Sequence, residues 1–467
     1  MKKFICLFAL AFATLTVASC DKTNDDETIE PGKLIERKDI VLTRAQMEMV
    51  RANNAFALDL FARTAKDASG ESFLISPLSV TYALGMVDNG AKGKTQEEIN
   101  TVLGYKESSV EGLNSFCKTL LAEGAKVDPS TTIEIANTAV VSKSVPLLPA
   151  FTEAVESSYD AKVIYKDFAK EDVVGFINSW CKEKTHGMIP SILDDPLDPG
   201  TVAHFLNAIY FKGIWSSQFK KSDTSKEKFV REDGSTLKVD MMHQKAAFSV
   251  CVGKGYTSVI LPYGNKAYRM TVLLPDESSS VADLMKGLTA ESLDPKCFYD
   301  AEEVDLKLPA FESEFKIDFS DILCDMGMPT AFSPLADFSA MTTAQVCISQ
   351  VLHKAKIKVD ETGSEAAAVT DVTMKETSAG PGSEPKVFTF HADHPFIYAI
   401  TEVSTGAIFF IGQYTGGVTA DVRSGIVGTK SESKTASNHQ IYNLSGQRLS
   451  KEPVRGLYIK DGKVMIK

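Results

Sequence analysis

Tryptophan and histidine are scarce in this chain of 467 residues, at two and seven copies, and Lys plus Arg (50) are outnumbered by Asp plus Glu (61). A net charge of −11 with no cluster of Lys and Arg excludes a nucleic-acid binder, because phosphate contacts need basic side chains gathered on one surface. The cysteines include no CxxC pair or other metal-ligand spacing. No metal site is therefore expected, and several of Cys117, Cys181, Cys251, Cys297, Cys324 and Cys347 are expected to be buried thiols packed as small apolar groups. GxSxG, HExxH and EF-hand patterns are all missing. Gly90-Ala91-Lys92-Gly93-Lys94-Thr95 has the look of a phosphate loop, but Asp88 stands where that loop needs glycine, and the segment follows a helical pattern rather than a strand. No cofactor is expected, and nothing marks the chain as an enzyme. There is no internal repeat.

What is present is a mosaic. Lys2 and Lys3 precede an apolar run from Phe4 to Val17, too short to span a bilayer as a stable helix, so residues 1–19 are expected to be a signal peptide. Val17-Ala18-Ser19-Cys20 resembles the lipobox of bacterial lipoproteins, which makes Cys20 the expected lipidation site. Two or more acyl chains there would anchor the protein stably to a membrane. Residues 20–44 are expected to form an acidic tether (Asp25, Asp26, Glu27), similar to surface-export signals of Bacteroidetes lipoproteins. The expected location is the outer membrane, facing either the cell surface or the periplasm.

Residues 45–416 then read as one α+β domain. Helical periodicity runs over Ala45–Lys66, Phe151–Tyr159 and Val173–Lys184. Ser76-Pro77 reads as a helix N-cap with proline at the first helical position, opening a helix that is apolar nearly all round and so belongs mid-core. Thr95 and Glu98 suggest a capping box for the helix after it. Thr132–Val141 alternates like a strand, and Thr201–Trp215 suits a central one. Further strands are expected at Tyr268–Leu274, Glu303–Leu308, Val346–Val359, Val387–Phe390, Phe396–Glu402 and Ile408–Tyr414. His353, alone in an apolar strand, is expected to be a satisfied core residue rather than a base. Residues 417–439 are linker-like, and residues 440–467 form a short β tail of unknown role around Ser-Gly and Asp-Gly turns.

One segment does not fit an ordinary surface loop. From about residue 361 to 386 the chain is too long for a passive connection inside a compact domain. Its even positions from 364 to 374 are Ser, Ala, Ala, Thr, Val and Met, none of them charged. Its odd positions from 365 to 375 hold every charge of that span: Glu365, Asp371 and Lys375. Alternate residues of a strand face opposite ways. The loop is therefore written as a strand with one buriable face, and Val369, Thr370, Val372 and Thr373 favour extension.

Glu361, Gly363, Ser364, Glu365, Ala366, Ala367 and Ala368 resemble the hinge of the serpin family. Phe73–Ser79, Leu206–Trp215, Val351–Ala355 and Ala392–Phe396 are similar to serpin motifs in the same order. The resemblance implies the serpin fold, several helices packed on three β-sheets with an exposed reactive-centre loop. It implies an irreversible inhibitor of serine proteases, with cysteine proteases as a wider class. The protease forms an acyl-enzyme on the loop, and the cut loop inserts into the main sheet. The scissile bond maps to Thr377–Ser378, which suits elastase-like enzymes; Lys375, suiting trypsin-like ones, and Met374 are the alternatives. Ser76, Ser79, Asn207 and His353 map to the shutter that lets the sheet open, and Trp215 with Lys354 to the breach where insertion starts. The implied partner is a protease in covalent complex with a monomer, and no basic heparin-binding helix is evident. The rival readings are a non-inhibitory carrier or chaperone lipoprotein, a surface adhesin or scaffold, and last a hydrolase.

Pairing alone does not decide whether insertion is favourable. About a dozen residues gain ~10–20 kcal/mol over two ladders at ~1 kcal/mol per hydrogen bond. Ordering them costs a similar sum at about 1–2 kcal/mol each. The surplus must come from burying the even face and relaxing the sheet.

Overall fold

The computed structural model describes residues 36–417, apart from 69, 106–109, 198–199, 294–296 and 365–386, together with short strands between 441 and 466. The chain divides into two compact units, residues 1–422 and 423–467. The second contains a four-stranded sheet in the order Arg448–Leu449, Ile441–Tyr442, Leu457–Lys460, Lys463–Ile466.

The first unit is α+β, as its patterns foretold. Helix Arg44–Asp67 starts at a Thr43 and Gln46 capping box. Ser76 caps helix Pro77–Asp88, its side chain accepting from the Ser79 amide, with proline at the helix start. Every residue of this core helix except Ala83 is buried. The helix can be apolar all round because sheets and helices cover it on every side.

The expected Thr95–Glu98 capping box does not form. The helix begins at Gly93, behind Lys92, without a side-chain cap. Glu98 instead accepts from the backbone and hydroxyl of Thr330 at 2.9 and 2.8 Å, and the Thr95 hydroxyl accepts from the Asp337 amide at 2.9 Å. Tertiary partners from residues 329–337 take both cap residues.

Among the described residues, two sheets build the unit. In one, Phe73–Ile75, Ile408–Tyr414, Phe396–Glu402, Tyr268–Pro275, Tyr256–Tyr263, Thr236–Val252, Tyr299–Pro309 and Phe388–His391 lie side by side, and Ser225–Val230 pairs with Thr236–Val252. Three sheets were expected. Two of them run on into one another because Thr236–Val252 is long enough to pair with Ser225–Val230 at its start, with Tyr256–Tyr263 at its end, and with Tyr299–Pro309 over Met241–Val250 between them.

The other sheet is the one that matters for function. Its order is Phe311–Asp318, Leu352–Val359, Gly363–Ser364, Ala203–Ile214, Thr132–Ser142, Lys162–Lys166. Ala203–Ile214 is central, as its apolar run suggested. Leu352–Val359 flanks it across the two-residue strand Gly363–Ser364. The expected strand from Val346 starts only at Leu352, because the residues before it bond to short helices: the Ile348 amide donates to Ala331 O at 2.9 Å, in the 3-10 turn Pro329–Phe332, and the Val351 amide to Ser320 Oγ at 3.0 Å, at the start of helix Ser320–Met326. The core helix lies beneath this sheet. Helix Val173–Lys184 covers its opposite face through a small cluster with Val140, Ile192 and Leu206. The six described cysteines are free thiols, with Cys117, Cys181 and Cys251 buried.

Candidate functional site

The hinge pair Gly363–Ser364 marks the site. Ser364 pairs with Val359 on one side and with Gly213 on the other, and Gly363 with Ile214. Below them, among the described residues, the central and flanking strands share no ladder. The backbones meet so closely at the hinge that a Cβ on Gly363 would lie 2.0 Å from Gly213 O and 2.8 Å from Ile214 Cα. Only glycine fits there. The turn before it is tight: the Asp360 amide donates to Gly363 O at 2.9 Å, and the Thr362 amide to Asp360 Oδ1 at 2.9 Å.

Trp215 grips this turn. Its indole Nε1 donates to Asp360 O at 2.9 Å and its amide to Thr362 O at 2.9 Å. The Phe219 amide donates to Glu361 O at 3.0 Å, and the Thr224 hydroxyl to the Glu361 carboxylate at 2.8 Å. Trp215 also stacks on Tyr263, centroids 4.4 Å apart at 14°, and Tyr263 shares a 2.6 Å hydrogen bond with Ser364 Oγ.

Further down the sheet a chain of polar groups crosses the interior. His353 Nε2 accepts from the Ser76 amide at 3.0 Å. The Ser76 hydroxyl donates to Phe409 O at 2.8 Å and accepts from the Ser79 amide at 3.3 Å. The Ser79 hydroxyl donates to Asn207 Oδ1. Asn207 Nδ2 donates to Asn137 Oδ1 at 2.8 Å, and Asn137 Nδ2 to Tyr159 O at 2.7 Å. Burial lowers the His353 pKa to about 3, so the imidazole is neutral and acts as an acceptor. It links the flanking strand to the core helix, and the Ser76 hydroxyl is turned to Phe409 O instead.

These groups face a cleft of about 430 Å³ at the lower end of the gap. Its walls come from the start of the central strand (Ala203–Asn207), from residues 345–354, and from Val80, Ala83, Leu84 and Val87 of the core helix. Ser79, Asn207 and His353 line it.

A family model described as Serpin (serine protease inhibitor) matches residues 51–416. Serpin B6 of Macaca fascicularis is 35% identical over 380 residues, covering 79% of this chain and 99% of that relative. The chain belongs to the serpin family. Among solved structures, the thermophilic serpin tengpin in its native state is 30% identical with a TM-score of 0.71, matched over 82% of this chain and 98% of tengpin. Thyroxine-binding globulin in complex with thyroxine is 26% identical with a TM-score of 0.71, matched over 79% of this chain and all of that protein. Serpins are in general protease inhibitors rather than enzymes.

The structure brings Ser76, Ser79, Asn207 and His353 of this serpin into one connected group, and Glu361, Gly363 and Ser364 into contact with the Trp215 region. It does not bring Lys354 to Trp215. Lys354 lies five residues before Val359, which is level with Gly213, so the two are separated along the sheet by roughly 20 Å at ~3.3 Å per residue. Lys354 lines the cleft beside His353 and pairs with Glu314 at 2.8 Å. Burial alone would raise the Glu314 pKa, but hydrogen bonds from Lys354 and Lys356 hold it below the usual range. Glu365, Ala366, Ala367, Ala368, Met374, Lys375, Thr377, Ser378 and Cys20 lie outside the described residues.

Two site residues were missed in the sequence. Asn137 carried a signal, being polar on the buried parity of an alternating strand. Tyr263 carried none, since its partner Ser364 is 101 residues away.

Asn207 is the middle of the polar chain. Asn207→Ala leaves the Ser79 hydroxyl and the Asn137 carbonyl without partners, at about 1–3 kcal/mol for each orphaned buried group. The urea midpoint of the native protein should fall accordingly, and an unchanged midpoint would show that the chain carries no stability.

Proposed function

We propose that this serpin is an inhibitor of serine proteases that traps its target as an acyl-enzyme by inserting the cut loop between the central and flanking strands. The observation that carries this reading is the register of the hinge pair. Continued down the gap, the pairings Ser364–Gly213 and Ser364–Val359 bring even loop residues opposite odd residues of both strands. Those odd residues, Phe211, Ile209, Val359, Ile357, Ala355 and His353, are buried. The uncharged face of the loop (Ala366, Ala368, Thr370, Val372, Met374) would thus turn to the core. Thr370 would fall between Asn207 and His353, where its hydroxyl has polar neighbours. Glu365, on the other parity, would fall between Lys212 and Lys358.

In the proposed reaction the protease serine attacks the Thr377 carbonyl. The peptide bond to Ser378 breaks, the new amine leaves, and the ester remains on Thr377. Insertion of residues 365–376 then carries the protease along the sheet and deforms its site before water can cleave the ester. Thr377 suits elastase-like proteases, with Lys375 and Met374 as alternative registers. The complex is one serpin to one protease. A lipid on Cys20 would hold the protein on the outer membrane, after export, facing the surface or the periplasm. A carrier role is the second reading, because the apolar cleft is of ligand-pocket size. The small hinge residues Ser364–Ala368 argue against it, since bulk is tolerated where no insertion is needed.

Incubation with elastase-like, trypsin-like and subtilisin-like proteases should give a denaturant-resistant complex and a released fragment beginning at Ser378. Ser364→Arg should turn the inhibitor into a plain substrate, because a charge at this buried position costs several kcal/mol without a partner. Absence of a complex with every protease, or full inhibition by Ser364→Arg, would overturn the reading. Cys20→Ala should move the protein from the membrane fraction to the soluble one; retention would exclude the lipid anchor.

A further inference from the structure

A phenol buried beneath the hinge has no part in the mechanism above. Tyr263 is the last residue of strand Tyr256–Tyr263, which belongs to the other sheet, and it is wholly buried. Burial pushes its pKa well above the usual value, so it keeps its proton. Among the described residues its hydroxyl has one hydrogen-bond partner, Ser364 Oγ at 2.6 Å, and Ser364 is itself wholly buried. The ring is fixed from two sides. Trp215 stacks on one face. Phe211 meets it edge to face, centroids 5.0 Å apart, and Gly213 lies so close that a Cβ there would come within 2.6 Å of the Tyr263 ring. The packing therefore fixes the place of the phenol oxygen against Ser364 Oγ.

We propose that Tyr263 is a positioning residue that latches the hinge into the sheet at Ser364 before any protease arrives. The inference deepens the loop-insertion reading and rests on it for its consequence. With Gly363–Ser364 already paired to both strands, insertion after cleavage is the extension of an existing strand rather than the nucleation of a new one. The latch fixes the register from which every later pair follows. It also fixes parity, because Ser364 is the first residue of the uncharged face. A slip of one residue would turn that face outward and bury Glu365.

The test uses the full chain and reads amide hydrogen exchange in the peptide spanning residues 361–364. Tyr263→Phe keeps the ring and its stack on Trp215 but leaves the Ser364 hydroxyl buried without a partner. Exchange in this peptide should quicken roughly tenfold, since a lone buried hydroxyl favours opening. Peptides from Phe396–Glu402 should exchange as before. Ser364→Ala alone should also quicken the hinge peptide, by stranding the phenol. The double variant, with neither hydroxyl, should return close to the unmodified rate. Equal hinge exchange in Tyr263→Phe and the unmodified protein would overturn the proposal. So would acceleration spread evenly over the sheet, or a double variant as fast as either single one. Protease assays run beside these measurements keep the two readings apart. If no complex forms but the exchange pattern holds, the latch stands and the inhibitory reading fails. If complexes form and hinge exchange is unmoved, inhibition stands and the latch fails.

Discussion

The account depends on a gap that the described residues leave beside the central strand. Over residues 203–212 that strand is paired on one side with Thr132–Ser142, and on the other, among the described residues, only its last two residues meet a partner, the hinge. An unpaired strand edge is a template for another strand. Here the edge lies inside a sheet, over a cleft, with a segment of the right parity tied to its upper end. The hinge joins the two strands at one point, the pairing of Ser364 with Val359 and Gly213.

Keeping such a sheet intact requires links that hold it without closing it. The polar chain from His353 through Ser76, Ser79 and Asn207 to Asn137 supplies them. It ties the flanking strand to the core helix, and the core helix to the central strand, and it passes under the gap rather than across it. Because burial keeps His353 neutral, no charge has to be desolvated when the strands part. Lys354 and Lys356 of the flanking strand pair with Glu312 and Glu314 of the edge strand, on the parity opposite to His353, Ala355 and Ile357.

Local patterns carried most of the fold into view. Ser76-Pro77, the helical repeat of Val173–Lys184 and the strands Phe396–Glu402 and Ile408–Tyr414 are legible because each depends on residues within a few positions of one another. The alternation over 364–374 was legible for the same reason, although all but its first residue lies outside the described residues. What escaped depends on contacts distant in sequence. Tyr263 meets Ser364, Glu98 is drawn from its own helix to Thr330, and Lys354 stands with Glu314 far from Trp215. No short window contains both members of those pairs. The shutter group was assigned by resemblance, and its members are joined by hydrogen bonds between residues distant in sequence. Asn137 could have been added from its polar character on a buried parity.

The central claim is that the loop segment belongs, energetically, inside the sheet. It is tested most directly by unfolding the protein in heat before and after a single cut within residues 365–386. The account predicts that the cut raises the unfolding midpoint well above that of the intact chain, because the freed strand completes the ladder and buries its uncharged face. A midpoint that stays the same or falls, as after nicking an ordinary surface loop, would contradict it.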